Sequence, residues 1–399
     1  MDARTDPDGK IDVSPVVDWL MDGAKGAPLP QDVLFQMATK MEACGLPILR
    51  VAVFVTTLHP NVMGRGFFWR RGATEATVAE APYGIIDTEE FQRNPIVRVF
   101  KDGAEIRRKL CDPDCPNDFK ILDEFRADGI TDYVAMPLDF TNGEIHAVSF
   151  TTDREGGFTE AEIEAMREVR RPLARIAEIF AHRRTARNLL DAYLGVQSGG
   201  KVLAGQIKRG DGQEIHAVIW FCDLRESTPL ADSMSRWEFL GLLNEYFEAM
   251  AGAVLDHKGE VLRFIGDAAL AIFPVADDGM SIEDACQAGV DAARDAIERM
   301  KEVNAVRVEN GQRELGFGIG LHLGDVMYGN IGTANRIEFT VIGAAANEAA
   351  RIESQTKTLG VTFLISQEVV KHLSGDWKSL GKFELRGVGN EIELFTDPD

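Results

Sequence analysis

"VLRFIGDAALAIF", Val261–Phe273, is an apolar run interrupted at its centre by a glycine and a lone carboxylate, Asp267, with Arg263 four residues earlier. Apolar and aromatic residues on both sides of Gly266-Asp267 read as two strands joined by a tight turn. A charge there adds nothing to a core, so the hairpin is expected to present Asp267 to something that binds it. "HAVIWFCD", His216–Asp223, is a second near-continuous apolar run ending in an aspartate, as a buried central strand would. If the two strands are neighbours, their carboxylates meet at one sheet edge with no sequence-adjacent cation to neutralise both. That setting suits Mg²⁺, which is held by a few carboxylates together with substrate phosphates. The plainer alternative is that each aspartate caps its own turn.

The surrounding sequence alternates strands and helices. Ser235 and Glu238 in "SRWE" form a capping box that opens a helix through Trp237, Leu240, Leu243, Phe247 and Met250, ending before Gly259. A further helix starts at Ser281, followed by the strands "LGFGIGLHLG" and "IEFTVIG" and the helix "AAANEAARIES". In that helix Asn347 and Arg351 are four residues apart and share a face, presenting an amide and a guanidinium in one direction. Arginine suits phosphate oxygens because it is always charged and donates two parallel hydrogen bonds. Pairing of Arg351 with Glu348 or Glu353 on a solvated surface is the alternative. The glycines of "GFGIGLHLG" do not open a helix, so they are not a dinucleotide-binding fingerprint.

The first half has a different order. An amphipathic helix spans Gln31–Cys44, and extended runs follow in "LRVAVFVTTLH" and "GRGFFWRRG". "DYVAMPLDFTNGEIHAVSFTT" is a hairpin with its turn at Asn142-Gly143. Thr159–Leu194 reads as one long helix despite Pro172, with an imperfect heptad seam of the kind found in dimer-forming connectors. "GVQSGG", rich in glycine and serine, marks a boundary near residue 200.

At 399 residues the chain is long enough for two domains, and 45% hydrophobic with 27% charged residues describes a globular protein. A net charge of −21 speaks against nucleic acid and anionic membrane surfaces as partners, so an anionic substrate needs a local cationic site. "MDARTDPDGK" does not read as a signal peptide, and no apolar run approaches a membrane span. Five sparse cysteines fit a reducing, cytoplasmic setting, and Cys111 and Cys115 in "CDPDC" read as two unpaired thiols.

Four blocks carry a specific resemblance. "IWFCDLRESTPLAD", "GEVLRFIGDAALAIFP", "GLHLGDVMYGNIG" and "EFTVIGAAANEAARIE" are similar, in order and spacing, to the signature blocks of the class III nucleotidyl cyclases, over about Ile215–Phe395. Within that family the chain most resembles the bacterial adenylate cyclases. No Gly-Gly-Asp/Glu-Glu-Phe loop of the diguanylate cyclases, which share the fold, is present.

The resemblance implies a fold, a reaction and a site. The fold is α+β, with a GAF-like sensor domain over residues 1–157, a helical connector over 158–200 and a ferredoxin-like, palm-type cyclase domain over 201–399. The reaction is conversion of ATP to 3′,5′-cyclic AMP and pyrophosphate at a homodimer interface. Two Mg²⁺ or Mn²⁺ ions per site would be held by Asp223 and Asp267. Asn347 and Arg351 would steady the ribose and the pentavalent phosphorus, Arg263 and Thr340 would read the base, and Arg386 in "LRGVG" would bind phosphate. A small-molecule effector is expected at the N-terminal domain. Where Arg263 stands, adenylate cyclases usually have lysine and guanylate cyclases glutamate. A donor favours adenine N1, though arginine also partners guanine O6 and N7. A cyclase of other base specificity, or a non-catalytic nucleotide sensor, are the alternatives.

Overall fold

The computed structural model describes residues 10–276, 279–386, 388–389 and 391–398. The chain divides into two compact units, Met1–Ala192 and Tyr193–Asp399.

The first unit contains α1 (Ser14–Met21), α2 (Pro30–Ala43), β1 (Arg50–Thr56), β2 (Val62–Arg70), β3 (Thr77–Pro82), α3 (Glu89–Gln92) and α4 (Pro95–Asp102). It continues through β4 (Ile106–Arg108), α5 (Ile121–Ala127), β5 (Asp132–Asp139), β6 (Ile145–Thr152) and the long α6 (Glu160–Leu194). The strands form one antiparallel sheet in the order β3-β2-β1-β6-β5-β4. Strand alternation sends Val51, Val53, Val134, Met136, Val148 and Phe150 to one face. There they pack against α1, α2 and the buried stripe Ile163, Met166, Val169 and Leu173 of α6. The other face carries Ala135 and Ala147 beneath Ile96, Val99, Leu122 and Phe125 of α4 and α5. Pro172 lies inside α6, which continues through it as the sequence predicts.

The second unit begins with α7 (Val196–Leu203), β7 (Gly212–Leu224), α8 (Ser227–Asp232), α9 (Arg236–Asp256), β8 (Glu260–Ile265), β9 (Ala268–Pro274) and α10 (Ile282–Glu309). It is completed by β10 (Phe317–Gly332), β11 (Ile337–Ile342), α11 (Ala344–Leu359), β12 (Phe363–Ser366), α12 (Gln367–Val370), β13 (Lys378–Glu384) and β14 (Glu391–Thr396). The sheet order is β13-β14-β12-β10-β7-β9-β8, with β11 paired to β10. β7 is central, and its stretch Ala217–Cys222 is apolar because both its faces are covered there. Val218, Trp220, Cys222 and Leu224 pack with α9 and α10, while Ala217, Ile219 and Phe221 face β11 and α11. The capping box forms as expected: Ser235 Oγ accepts from the Glu238 N–H at 3.3 Å, and Glu238 Oε2 accepts from the Ser235 N–H at 2.8 Å.

"GVQSGG", read from the sequence as a boundary, lies in α7 from Val196 onward, with Ser198 and Gly199 buried. Glycine and serine disfavour a helix by fractions of a kcal/mol, and the burial of this segment within the second unit outweighs that preference.

Candidate active site

β9 pairs with β7 so that Ala268 lies opposite Asp223, and β8 pairs with β9 so that Ile265 lies opposite Ala268. Gly266 turns the β8–β9 hairpin with φ +67°, a conformation glycine adopts without strain. Asp267 at that turn therefore sits beside Asp223 at the end of β7. Burial, then the charge and hydrogen bond of Asp267, push the Asp223 carboxyl up to about 6. The nearest cationic side chain in sequence, Arg225, instead donates to the Val361 carbonyl at 2.7 Å. Among the described residues neither aspartate has a salt-bridge partner, and no group of three or more His, Cys, Asp or Glu side chains is placed to hold a metal. Two convergent, unneutralised carboxylates fit a divalent ion such as Mg²⁺, which takes one or two protein carboxylates and completes its shell with water and phosphate oxygens.

Asn347 and Arg351 share the exposed face of α11. The opposite face, Ala345, Ala349, Ile352, Glu353 and Thr356, is buried, with Ala345 and Ala349 packed on the sheet face shared by Ile219 and Phe221. Asp223 alternates onto that same face. The two candidate transition-state groups thus point away from the sheet that carries their own chain's aspartates.

Surface pairing of Arg351 with Glu348 or Glu353 does not occur. Glu348 Oε2 is engaged by His322 Nε2 at 2.7 Å, and His322 Nδ1 lies 2.9 Å from Ser366 Oγ. Glu353 is buried, and burial followed by the charge of Asp223 pushes its carboxyl up to about 7, with Arg225 opposing. Among the described residues Arg351 is left without an ion pair. Glu353 is the site-proximal residue that sequence reasoning missed. Its place in the buried stripe Ala345, Ala349, Ile352, Glu353 was the available signal.

Arg263 is exposed on β8, after a register shift between Val261 and Arg263, and its Nη1 lies 2.9 Å from Glu338 Oε2 on β11. Thr340, two residues along β11, is buried, and its hydroxyl has no hydrogen-bond partner among the described residues. The structure therefore brings the strands of Arg263 and Thr340 together. Arg386 lies exposed between β13 and β14. Among the described residues no hydrogen bond or ion pair joins it to the other candidates.

Residues 212–396 match the family model described as the adenylate and guanylate cyclase catalytic domain. The chain is 34% identical over 169 residues to an adenylate cyclase of Anabaena cylindrica, covering 42% of this chain and 33% of that protein. It is 33% identical over 236 residues to an uncharacterized protein of Mycobacterium tuberculosis, covering 58% of this chain and 39% of the relative. The chain thus spans between a third and two-fifths of the length of these relatives. Among solved structures it is similar to the adenylyl cyclase CyaB from P. aeruginosa, with a TM-score of 0.43, 23% identity, and coverage of 47% of this chain and 97% of that one.

Proposed function

We propose, on the premise that residues 212–396 form a class III adenylate/guanylate cyclase catalytic domain, that this chain is an adenylate cyclase converting ATP to 3′,5′-cyclic AMP and pyrophosphate. The observation that carries the reading is the pair Asp223 and Asp267, two adjoining carboxylates with no cationic partner among the described residues. Mg²⁺ or Mn²⁺, two per site, would acidify the ribose 3′-hydroxyl and grip the triphosphate. The 3′-oxygen attacks the α-phosphorus, the bond to pyrophosphate breaks in line, and the hydroxyl proton passes to solvent. Arg351 meets the charge that builds on the phosphorus oxygens, and Asn347 orients the ribose. Arg386 binds the leaving phosphates.

The outward direction of Asn347 and Arg351 supports a homodimer in which one copy holds the metals and the other supplies these groups. Arg263 and Thr340 read adenine, with a donor at residue 263 favouring adenine N1 over guanine. Residues 201–399 form the catalytic domain, 158–200 a helical connector, and 1–157 a GAF-like regulatory domain that takes a small-molecule effector. The described residues include no helix long and apolar enough to cross a membrane. Free, sparse cysteines favour a cytoplasmic location.

A cyclase of other base specificity is the second reading, favoured by the engagement of Arg263 with Glu338. Incubation of purified chain with Mg²⁺ or Mn²⁺ and each of ATP, GTP, CTP and UTP, read as pyrophosphate and cyclic product, separates the two. Product from ATP alone or in large excess supports the proposal. A preference for another nucleotide favours the second reading, and absence of product from all four overturns both.

A further inference from the structure

Glu260 is the first residue of β8 and is 3% exposed. A carboxylate so placed is costly unless its oxygens are satisfied, and here both are. Oε1 accepts from the Ser198 N–H at 2.9 Å and from Ser198 Oγ at 2.6 Å, and Oε2 accepts from the Tyr328 hydroxyl at 2.7 Å. Ser198 Oγ and Tyr328 Oη are themselves 3.0 Å apart, closing a buried triangle.

One helical turn on, Lys201 Nζ stands 4.0 Å from the centroid of the Tyr328 ring and 5.8 Å from that of Phe339. Tyr328 and Phe339 pack edge to face with centroids 4.8 Å apart. Val202 of α7 packs against the same cluster, which includes Leu262 and Val341.

The contacts of α7 therefore fall on two places. Ser198 fixes the start of β8, three residues before Arg263. Lys201 stands over Tyr328 and Phe339, the latter next to Thr340 on β11, and Val202 packs against the cluster that holds Phe339 and Val341. α7 precedes the stretch that matches the cyclase family, which begins at residue 212, yet it belongs to the same compact unit.

We infer that α7 is a clamp that sets the spacing of the two base-reading strands, with Glu260, Ser198, Tyr328 and Lys201 as positioning residues for Arg263 and Thr340. This rests on the assignment of Arg263 and Thr340 as base-reading residues.

The test uses the full chain carrying Ser198→Ala, Glu260→Gln, Tyr328→Phe or Lys201→Met, and Arg263→Glu alone, with KM, kcat, the ATP-to-GTP ratio of kcat/KM and the Mn²⁺ concentration for half activity measured for each. The clamp predicts that Ser198→Ala and Glu260→Gln raise KM for ATP at least fivefold and lower the ATP-to-GTP ratio at least threefold, while kcat and the Mn²⁺ requirement stay within about twofold. Tyr328→Phe and Lys201→Met, which change little volume, shift the same two quantities in the same direction by less. They keep the test open should Glu260→Gln fail to give the wild-type near-ultraviolet circular dichroism. If Arg263→Glu changes the ratio and the clamp variants do not, or if they lower kcat with KM and the ratio unchanged, the clamp is overturned. If Arg263→Glu itself leaves the ratio unchanged, the base-reading assignment falls, and the clamp with it.

Discussion

Gly320→Ala tests the placement of the candidate transition-state groups. Gly320 lies on β10 opposite Phe221 of β7 and Leu364 of β12, directly beneath α11. A Cβ at this position would stand 2.5 Å from the Glu353 backbone nitrogen and 2.8 Å from both the Ala349 carbonyl oxygen and the Glu353 Cα. All three atoms are helix backbone, so no side-chain rotation relieves the contact. Ordinary van der Waals contact begins near 3.4 Å, so α11 must retreat by about 0.9 Å. α11 carries Asn347 and Arg351, and a misplacement of about 1 Å in a catalytic constellation costs about 10²-fold in rate. Overpacking of this kind also destabilises by about 1–3 kcal/mol, which in a unit of this size lowers the melting temperature by several degrees.

Gly316→Ala is the control, because its Cβ would come no closer than 3.5 Å to any atom, the Arg225 side chain being nearest. The assay is pyrophosphate release from ATP alongside a thermal melt of each variant. The reasoning is refuted if Gly320→Ala keeps activity within threefold of wild type at an unchanged melting temperature. It is equally refuted if Gly316→Ala loses as much activity or more.

Three other outcomes are expected. Asp267→Ala should abolish turnover and remove the rise in melting temperature that Mn²⁺ gives the wild type, with the circular dichroism spectrum unchanged; retained turnover would remove Asp267 from the metal site. Chains carrying Asp223→Ala and Arg351→Ala, each inactive alone, should recover about a quarter of wild-type activity when mixed equally, because half the dimers are mixed and each of those has one intact site of two; no recovery despite demonstrated subunit exchange would mean that each chain builds its own site. His146 is buried in the first unit, its Nδ1 accepts from the Thr56 N–H at 3.2 Å, and burial holds its pKa below 6.5 against the opposing charge of Glu144. The unfolded chain therefore takes up a proton that the folded one refuses, so stability is full above pH 6.5 and is lost as the pH falls through that value towards the folded pKa. The melting temperature of His146→Gln should accordingly fall less than that of wild type between about pH 7.5 and 5.5, and equal slopes would contradict this.

Local chemistry in the sequence determined the elements that frame the site. The unbroken apolar run before Asp223 required a strand covered on both faces, Gly266-Asp267 required a tight turn, and Ser235 with Glu238 required a helix start. Each follows from residues within a few positions of one another. The four-residue spacing of Asn347 and Arg351 likewise fixed their common face before any partner was known.

Other features depended on residues far apart in the chain. Glu353 resembles a surface carboxylate in "ARIES" and is buried only because Gly318 and Gly320, more than thirty residues earlier, let α11 sit close against β10. "GVQSGG" resembles a linker and becomes helix because Ser198 satisfies a carboxylate sixty-two residues away on β8. Glu260 itself looks like an ordinary polar residue after a turn, and its burial follows from the arrival of both Ser198 and Tyr328. Short-range preference amounts to fractions of a kcal/mol per residue, whereas leaving a buried carboxylate without partners costs several. At these positions the assembled partners therefore outweighed local preference, and only the tertiary structure brings those partners together.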